Sequence, residues 1–236
     1  MSVAIDRREL RAREQVETFV DDRFDDAVSL LSELISVRSD NPPGDCQAHA
    51  DRAAALLENV GLEVERHPVP TDLARSVGMI SATNLVIRHR FGPGPTVALN
   101  AHGDAVAPGS GWTFDPFGAQ IKDGWIYGRA AAASKSDFAT YAYALLALKH
   151  LGQPLQGTVE IHLTYDEEVG GDIGPKLLLS KGISAPDYAI CAGFTYEILT
   201  AHNGCLHLEI EVNGKASHAA RPHLGHDAME AAAARP

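Results

Sequence analysis

Segments with helical periodicity alternate along this chain with short apolar runs, and that alternation limits the fold more than any other feature. Over residues 24–35, the apolar positions Ala27, Leu30, Leu31, Leu34 and Ile35 recur at intervals of three and four, the spacing of one helix face. Ser39-Asp-Asn-Pro-Pro-Gly stops this helix, because proline cannot continue it and glycine permits the turn. A second helix is expected over residues 46–60, ended by Gly61. Short β patterns follow at 62–65, 84–87 and 96–100, then a glycine-rich loop over 103–128. Helices are expected at 137–151 and 173–181, with strands at 158–165 and 188–191. Helices interleaved with short buried strands predict an α/β domain, a mostly parallel sheet with helices on both faces.

The pattern changes near residue 202. Leu206-His-Leu-Glu-Ile-Glu-Val alternates apolar and polar, the signature of a half-buried and antiparallel strand. A helix is expected to begin around Asp227. These changes divide the chain into an α/β domain over 1–201 and the opening strand and helix of an α+β domain over 202–236. The length of 236 residues suits one to two domains. The formal net charge is −11 and no basic run is present, which argues against nucleic acid and anionic membranes as partners. Three scattered cysteines make neither a disulfide framework nor a C-x-x-C zinc knuckle, as expected of a reducing compartment. The longest nearly apolar stretch, 138–148, is too short to span a bilayer. The N-terminus mixes Arg with Glu and Asp and resembles neither a signal nor a transit peptide, so a cytoplasmic location is expected.

Three places offer chemistry. Val97-Ala-Leu-Asn-Ala-His-Gly-Asp ends an apolar strand in His102 and Asp104. Positions two apart share one side of an extended chain. An imidazole suits zinc, and a carboxylate can hold the ring in place. The same residues also fit a solvated strand-end loop. Asp166-Glu167-Glu168 follows another apolar strand and precedes two glycines. Crowded like charges are costly unless a cation or a proton relieves them. One carboxylate on a metal and its neighbour acting as a base explain the doublet, and a solvated acidic turn explains it as well. His218 sits among small residues in Gly214-Lys-Ala-Ser-His-Ala-Ala-Arg-Pro, where a substrate can approach or where a surface histidine can simply stand. Neither a G-x-S-x-G nucleophile elbow nor a phosphate-binding G-x-x-x-x-G-K-[ST] loop is present.

The order of the motifs is more specific than any one of them. Leu99-Asn-Ala-His-Gly-Asp, Trp112-Thr-Phe-Asp-Pro-Phe-Gly, Ile121-Lys-Asp-Gly-Trp-Ile-Tyr-Gly-Arg, Asp166-Glu-Glu and Gly214-Lys-Ala-Ser-His together resemble one family of zinc-dependent metallopeptidases. Its members include aminoacylases, acetylornithine deacetylases, succinyl-diaminopimelate desuccinylases and carboxypeptidase G. The resemblance runs collinearly over residues 25–236. It implies a Zn²⁺ pair at the carboxyl ends of the strands and an inserted α+β lid that mediates homodimerisation, with the lid incomplete here. It further implies hydrolysis of an amide or peptide bond in an N-acyl amino acid or small peptide. In this reading His102 is a ligand of the first metal, steered by Asp104. Glu167 is the general base and Glu168 a ligand of the second metal. His218 helps hold the substrate carbonyl or oxyanion, usually from the opposite subunit.

The resemblance also brings out departures. Where the family has a bridging Asp, this chain has Ala133, and where it has a further Glu or Asp ligand, this chain has Gly193. The family's last histidine ligand lies beyond residue 236. Each metal then retains one protein ligand of its own, against the three or four that zinc normally takes. Asp137, one helical turn after Ala133, is the nearest replacement carboxylate. Fewer than two zinc ions, or none, are therefore expected. The alternative is a catalytically degenerate homologue that keeps the fold for binding or dimerisation.

Overall fold

The computed structural model describes residues 7–193 and 208–234, together with 200, 201, 204 and 206. Two compact units divide at residues 195 and 196. The first opens with helices α1 (Arg7–Asp22), α2 (Phe24–Ser36) and α3 (Gln47–Asn59). Strand β1 (Val64–Pro68), the short helix α4 (Thr71–Ser76), β2 (Thr83–Arg90) and β3 (Thr96–His102) follow. A hairpin, β4 (Gln120–Lys122) with β5 (Trp125–Tyr127), then precedes α5 (Lys135–His150). Strand β6 (Thr158–Thr164), a 3-10 turn (Glu167–Val169), α6 (Pro175–Ser180) and β7 (Tyr188–Cys191) complete the unit.

The main sheet has the order β1-β2-β6-β3-β7. β6 is parallel to β3 and β3 to β7, while β2 is antiparallel to both β1 and β6. The sheet is therefore mixed, and only β2 runs against the common direction. The expected sheet was mostly parallel; β1, β6, β3 and β7 do run in one direction, and the departure is β2, antiparallel to both of its neighbours. Two further differences concern local elements. β1 begins two residues later than its apolar pattern suggests, and the expected loop over 103–128 contains the β4–β5 hairpin. Strand β2 runs three residues past its expected end, and α4 has no expected counterpart; the other expected strands and helices of this unit fall within one to two residues of their patterns.

The apolar stripe of α2 is the one its periodicity predicts, with Leu30, Leu31, Leu34 and Ile35 buried. They join Ala50, Ala53, Ala54 and Leu57 of α3, Phe138, Ala142 and Leu145 of α5, and Leu85, Ile87, Ile161 and Leu163 of the sheet in a single core. Lys135 lies buried beneath this layer and donates from Nζ to the carbonyls of Leu34 and Val37 at 3.1 and 3.0 Å, closing the end of α2. The opposite sheet face is polar. There Arg88 and Glu160, register partners on β2 and β6, form an ion pair at 2.6 Å. His162 and Ser184 also bond to the buried Glu160, and Asn84 donates to the Ile173 carbonyl. The segment carrying α6 is thus tied to this second face by hydrogen bonds.

The second unit contains a 3-10 turn (Pro222–Leu224) and helix α7 (Ala228–Ala233), capped by the Asp227 carboxylate, which accepts from the amides of Met229 and Glu230. The expected strand over 206–212 is absent among its described residues, and Leu206, Leu208 and Ile210 are 75–80% exposed. The alternating face is present in sequence, but no partner strand among the described residues pairs with it or covers it. Among the described residues, no helix is long and apolar enough to cross a membrane.

Candidate metal centre

The site is built where two parallel strands end together. His102, the last residue of β3, is in register with Thr164, the last residue of β6. The chain leaving each strand therefore emerges at the same carboxyl edge, where α/β sheets gather their sites. The expectation that His102 and Glu168 lie at one edge holds. Gly103 allows the close approach: a Cβ there would collide with Tyr165 and Phe138. Tyr165 is fixed in turn, its hydroxyl 3.0 Å from Nδ1 of the buried His49.

Asp104 is fully buried, at 0% exposure, and its carboxylate organises the centre. The Glu167 amide donates to Oδ1 at 3.3 Å, and the Glu168 amide to Oδ2 at 3.2 Å. Asn41 Nδ2 donates to Oδ2 at 2.9 Å. His102 presents Nδ1 to the Asp104 backbone carbonyl at 3.0 Å and to Oδ1 at 3.3 Å. A proton on Nδ1 satisfies these acceptors and leaves the Nε2 lone pair facing outward, the tautomer a metal ligand needs. Nε2 is 3.9 Å from Glu167 Oε2. Burial by itself pushes the imidazole pKa down, but the hydrogen bond and charge of Asp104, with Glu167 behind them, raise it overall.

The three consecutive acids have separate surroundings. Asp166 turns back into the fold and accepts the Ile173 amide at 2.6 Å; burial raises its pKa. Glu167 projects outward with its side chain 61% exposed. Glu168 is half-buried, and its pKa is raised first by burial and then by the negative charges of Glu167 and Asp104. Gly170 ends the 3-10 turn at φ 113°, a conformation that L side chains rarely adopt. Among the described residues, one group offers three metal-ligand atoms within 4.8 Å of one another: His102, Glu167 and Glu168. One nitrogen and two carboxylate oxygens are a zinc-type donor set. They fit one ion and are short of ligands for two.

The remaining candidates are placed differently. Asp137 lies outside that group. Its carboxylate accepts from Ser134 Oγ at 3.2 Å, and the same hydroxyl accepts from the His102 amide at 3.3 Å. Burial raises the Asp137 pKa, partly offset by Ser134 and His102. Ala133 lines a cavity of about 320 Å³ with Gly128, Arg129 and Glu168, and supplies no donor atom there. His218 is in the second unit, exposed, with Nδ1 accepting the Ala220 amide at 3.1 Å. Sequence reasoning missed Asn41, which had served only as part of a helix stop. No local signal marks it, since asparagine is mostly an exposed residue type and its partner lies 63 residues away.

The family model described as Peptidase family M20/M25/M40 matches residues 98–235. A succinyl-diaminopimelate desuccinylase of Wolinella succinogenes is 32% identical over 206 residues, covering 83% of this chain and 51% of that protein. One from Anaplasma marginale is 30% identical over 218 residues, covering 88% and 54%. The chain thus spans about half the length of the curated relatives it matches. Among solved structures, human carnosine dipeptidase 1 is similar in fold, with a TM-score of 0.59 and 21% identity, covering 78% of this chain and 41% of that one. The match over residues 98–235 includes both strand ends that build the centre, and the chain belongs to peptidase family M20/M25/M40.

Proposed function

We propose that the chain carries the metal-holding part of a hydrolytic site for amide or peptide bonds, acting on an N-acyl amino acid or a small peptide. The observation that carries this reading is the convergence of His102, Glu167 and Glu168 within 4.8 Å at the ends of β3 and β6. In this reading His102 Nε2 and a Glu168 oxygen hold zinc. Bound zinc supplies Lewis acidity, polarising a carbonyl and lowering the pKa of water. Asp104 fixes the tautomer and angle of His102. Glu167, exposed at the mouth of the site, takes up the proton as general base and releases it to the leaving amine. His218 steadies the substrate carbonyl from the second unit of a partner copy. The substrate class follows the desuccinylases among the relatives, whose name specifies removal of an N-succinyl group.

With Glu167 kept as the base, His102 and Glu168 supply two protein donors, fewer than the three or four zinc normally takes, and the count favours one ion over two. Ala133 and Gly193 offer no ligand atom, and Asp137, one of whose oxygens accepts from Ser134, lies outside the three-residue group. The same count supports the second reading, a homologue that keeps the fold for binding or dimerisation without turnover.

Zinc titration of the metal-free chain, followed by assay on N-succinyl amino acids, separates the two readings. The expected result is one zinc ion per chain, abolished by His102→Ala or Glu168→Ala. Glu167→Ala should keep zinc affinity within about threefold while abolishing any hydrolysis, since a base acts by proton transfer worth roughly 10² to 10⁴ in rate. Loss of zinc with Glu167→Ala makes that residue a ligand. Zinc uptake without hydrolysis favours the binding reading.

A further inference from the structure

We infer that Asn41 is a positioning residue of the metal centre: its side-chain amide fixes the Asp104 carboxylate and, through it, both His102 and the Glu167–Glu168 turn. The inference rests on the proposed reading of that cluster as a metal centre and adds to it a residue upstream of the family match. The Asp104 carboxylate serves three elements at once, receiving the Glu167 and Glu168 amides, His102 Nδ1 and Asn41 Nδ2. The two amide contacts and the imidazole contact are long, at 3.2–3.3 Å. Only the Asn41 contact, at 2.9 Å, has the ordinary length of a strong N–H···O bond. Asn41 therefore sets the rotation of the carboxylate plane, and the weaker bonds follow it.

Asn41 is itself held firmly. Its backbone amide donates to the Ala105 carbonyl at 2.8 Å, the Ala105 amide donates to the Ser39 carbonyl at 3.0 Å, and Ser39 Oγ donates to the Gly103 carbonyl at 2.6 Å. Residues 39–41 thus form a brace bonded along both sides of the His-Gly-Asp turn. The following proline restricts the Asn41 backbone to extended conformations. The side chain is 1% exposed, and its Oδ1 has no hydrogen-bond partner among the described residues. An orphaned buried oxygen is unfavourable, and an apolar residue would avoid it. The amide makes sense at this position because it delivers an N–H to a buried carboxylate without adding charge. An aspartate of the same shape would place a second carboxylate against Asp104.

The test uses the full 236-residue chain in four forms: unaltered, Asn41→Ala, the isosteric Asn41→Asp, and Thr83→Val, a control that removes a buried hydroxyl bonded to Gln47, outside the centre and its brace. Two quantities are read: Zn²⁺ affinity by chelator competition, with the Co²⁺ visible spectrum as a geometric signature, and amide exchange at Glu167 and Glu168. Both Asn41 variants should bind Zn²⁺ about tenfold to a hundredfold more weakly, as outer partners of metal ligands do when removed, with an altered Co²⁺ spectrum. Their Glu167 and Glu168 amides should exchange at least about tenfold faster while strand β6 keeps its protection. Thr83→Val should stay within about twofold of the unaltered chain on both readings. Equal effects from Thr83→Val and the Asn41 variants, or none from Asn41→Asp, overturn the inference. If the unaltered chain takes up no Zn²⁺, the metal-centre reading fails, and amide exchange alone decides whether Asn41 positions Asp104. Should Asn41→Ala not fold, Asn41→Asp, which conserves volume, decides.

Discussion

Ala133 and Gly193 are the two residues whose chemistry differs most from what the motif order leads one to expect, and both sites have room for a larger side chain. Ala133 faces the cavity beside Glu168, and a Cβ added at Gly193 meets no atom within 4 Å. Ala133 borders open space and Gly193 admits a Cβ, so the present shortage is first one of donor atoms. The double variant Ala133→Asp, Gly193→Glu is expected to tighten zinc binding by at least tenfold and to raise the metal content above one ion per chain, measured by elemental analysis after dialysis. Without metal the same variant should lose about 1 kcal/mol of stability, because Ala133→Asp places a half-buried negative charge near Glu168. Unchanged metal content would mean that neither residue 133 nor residue 193 faces the centre. Legibility at this scale followed the backbone. His102, Asp104, Glu167 and Glu168 could be picked out because strand ends carry chemistry in this class of fold. Asn41 could not, since its partner is distant in sequence. Asp137 follows from helical spacing alone, which does not register that Ser134 donates to one of its carboxylate oxygens.

At the scale of elements, the pairing of β2 with β6 carries a charge network that no periodicity reveals. Arg88 donates from Nε to Glu160 and from Nη1 to Glu65, and reaches the Ile183 carbonyl with Nη2 at 2.8 Å. One side chain thus links β1, β2, β6 and the segment after α6. Burial pushes the Glu160 pKa up, but hydrogen bonds from Arg88, Ser184 and His162 outweigh it, and the net shift is downward. A carboxylate whose pKa falls on folding stabilises the fold above its unfolded pKa, near 4.5, and that contribution is lost as acid protonates it. Stability in urea should therefore fall more steeply between about pH 5 and 3 for the unaltered chain than for Glu160→Gln. Arg88→Met should cost about 2 kcal/mol at neutral pH, because it strands a buried carboxylate, and the double change Arg88→Met, Glu160→Met should cost less than that single one. Equal costs would show that the pair contributes packing alone. Helices and strands with a strong apolar period were legible to within a residue or two. The reversal of β2 was not, because direction depends on which strand lies next to which, and β6 enters between β2 and β3 from more than sixty residues later in the chain.

The whole molecule has two units of very different solidity. In the first, five strands and their helices share one core, and the candidate metal centre is held by bonds among residues 39–41, 102–105 and 164–168 of that unit alone. In the second, no described residue is buried, α7 has six residues, and a single isolated bridge joins Lys215 to His226. Helices this short are marginal in water without a packed face, and a lone bridge does not make an independent sheet. Cutting the second unit should therefore leave the first intact. Limited proteolysis is expected to cleave first within residues 208–226, leaving a core that keeps its cooperative melting transition within about 3 °C of the uncut chain. Amide exchange should agree: residues 208–234 should exchange at rates near those of an unfolded chain, while β6 opens only with global unfolding. Zinc uptake by the nicked protein should equal that of the uncut chain, since His102, Glu167 and Glu168 all lie in the first unit. Hydrolysis should respond differently if His218 steadies the substrate: nicking should then remove turnover and leave the metal in place. A nicked protein that loses zinc together with activity would require a ligand from the second unit and would displace the three-residue centre argued above.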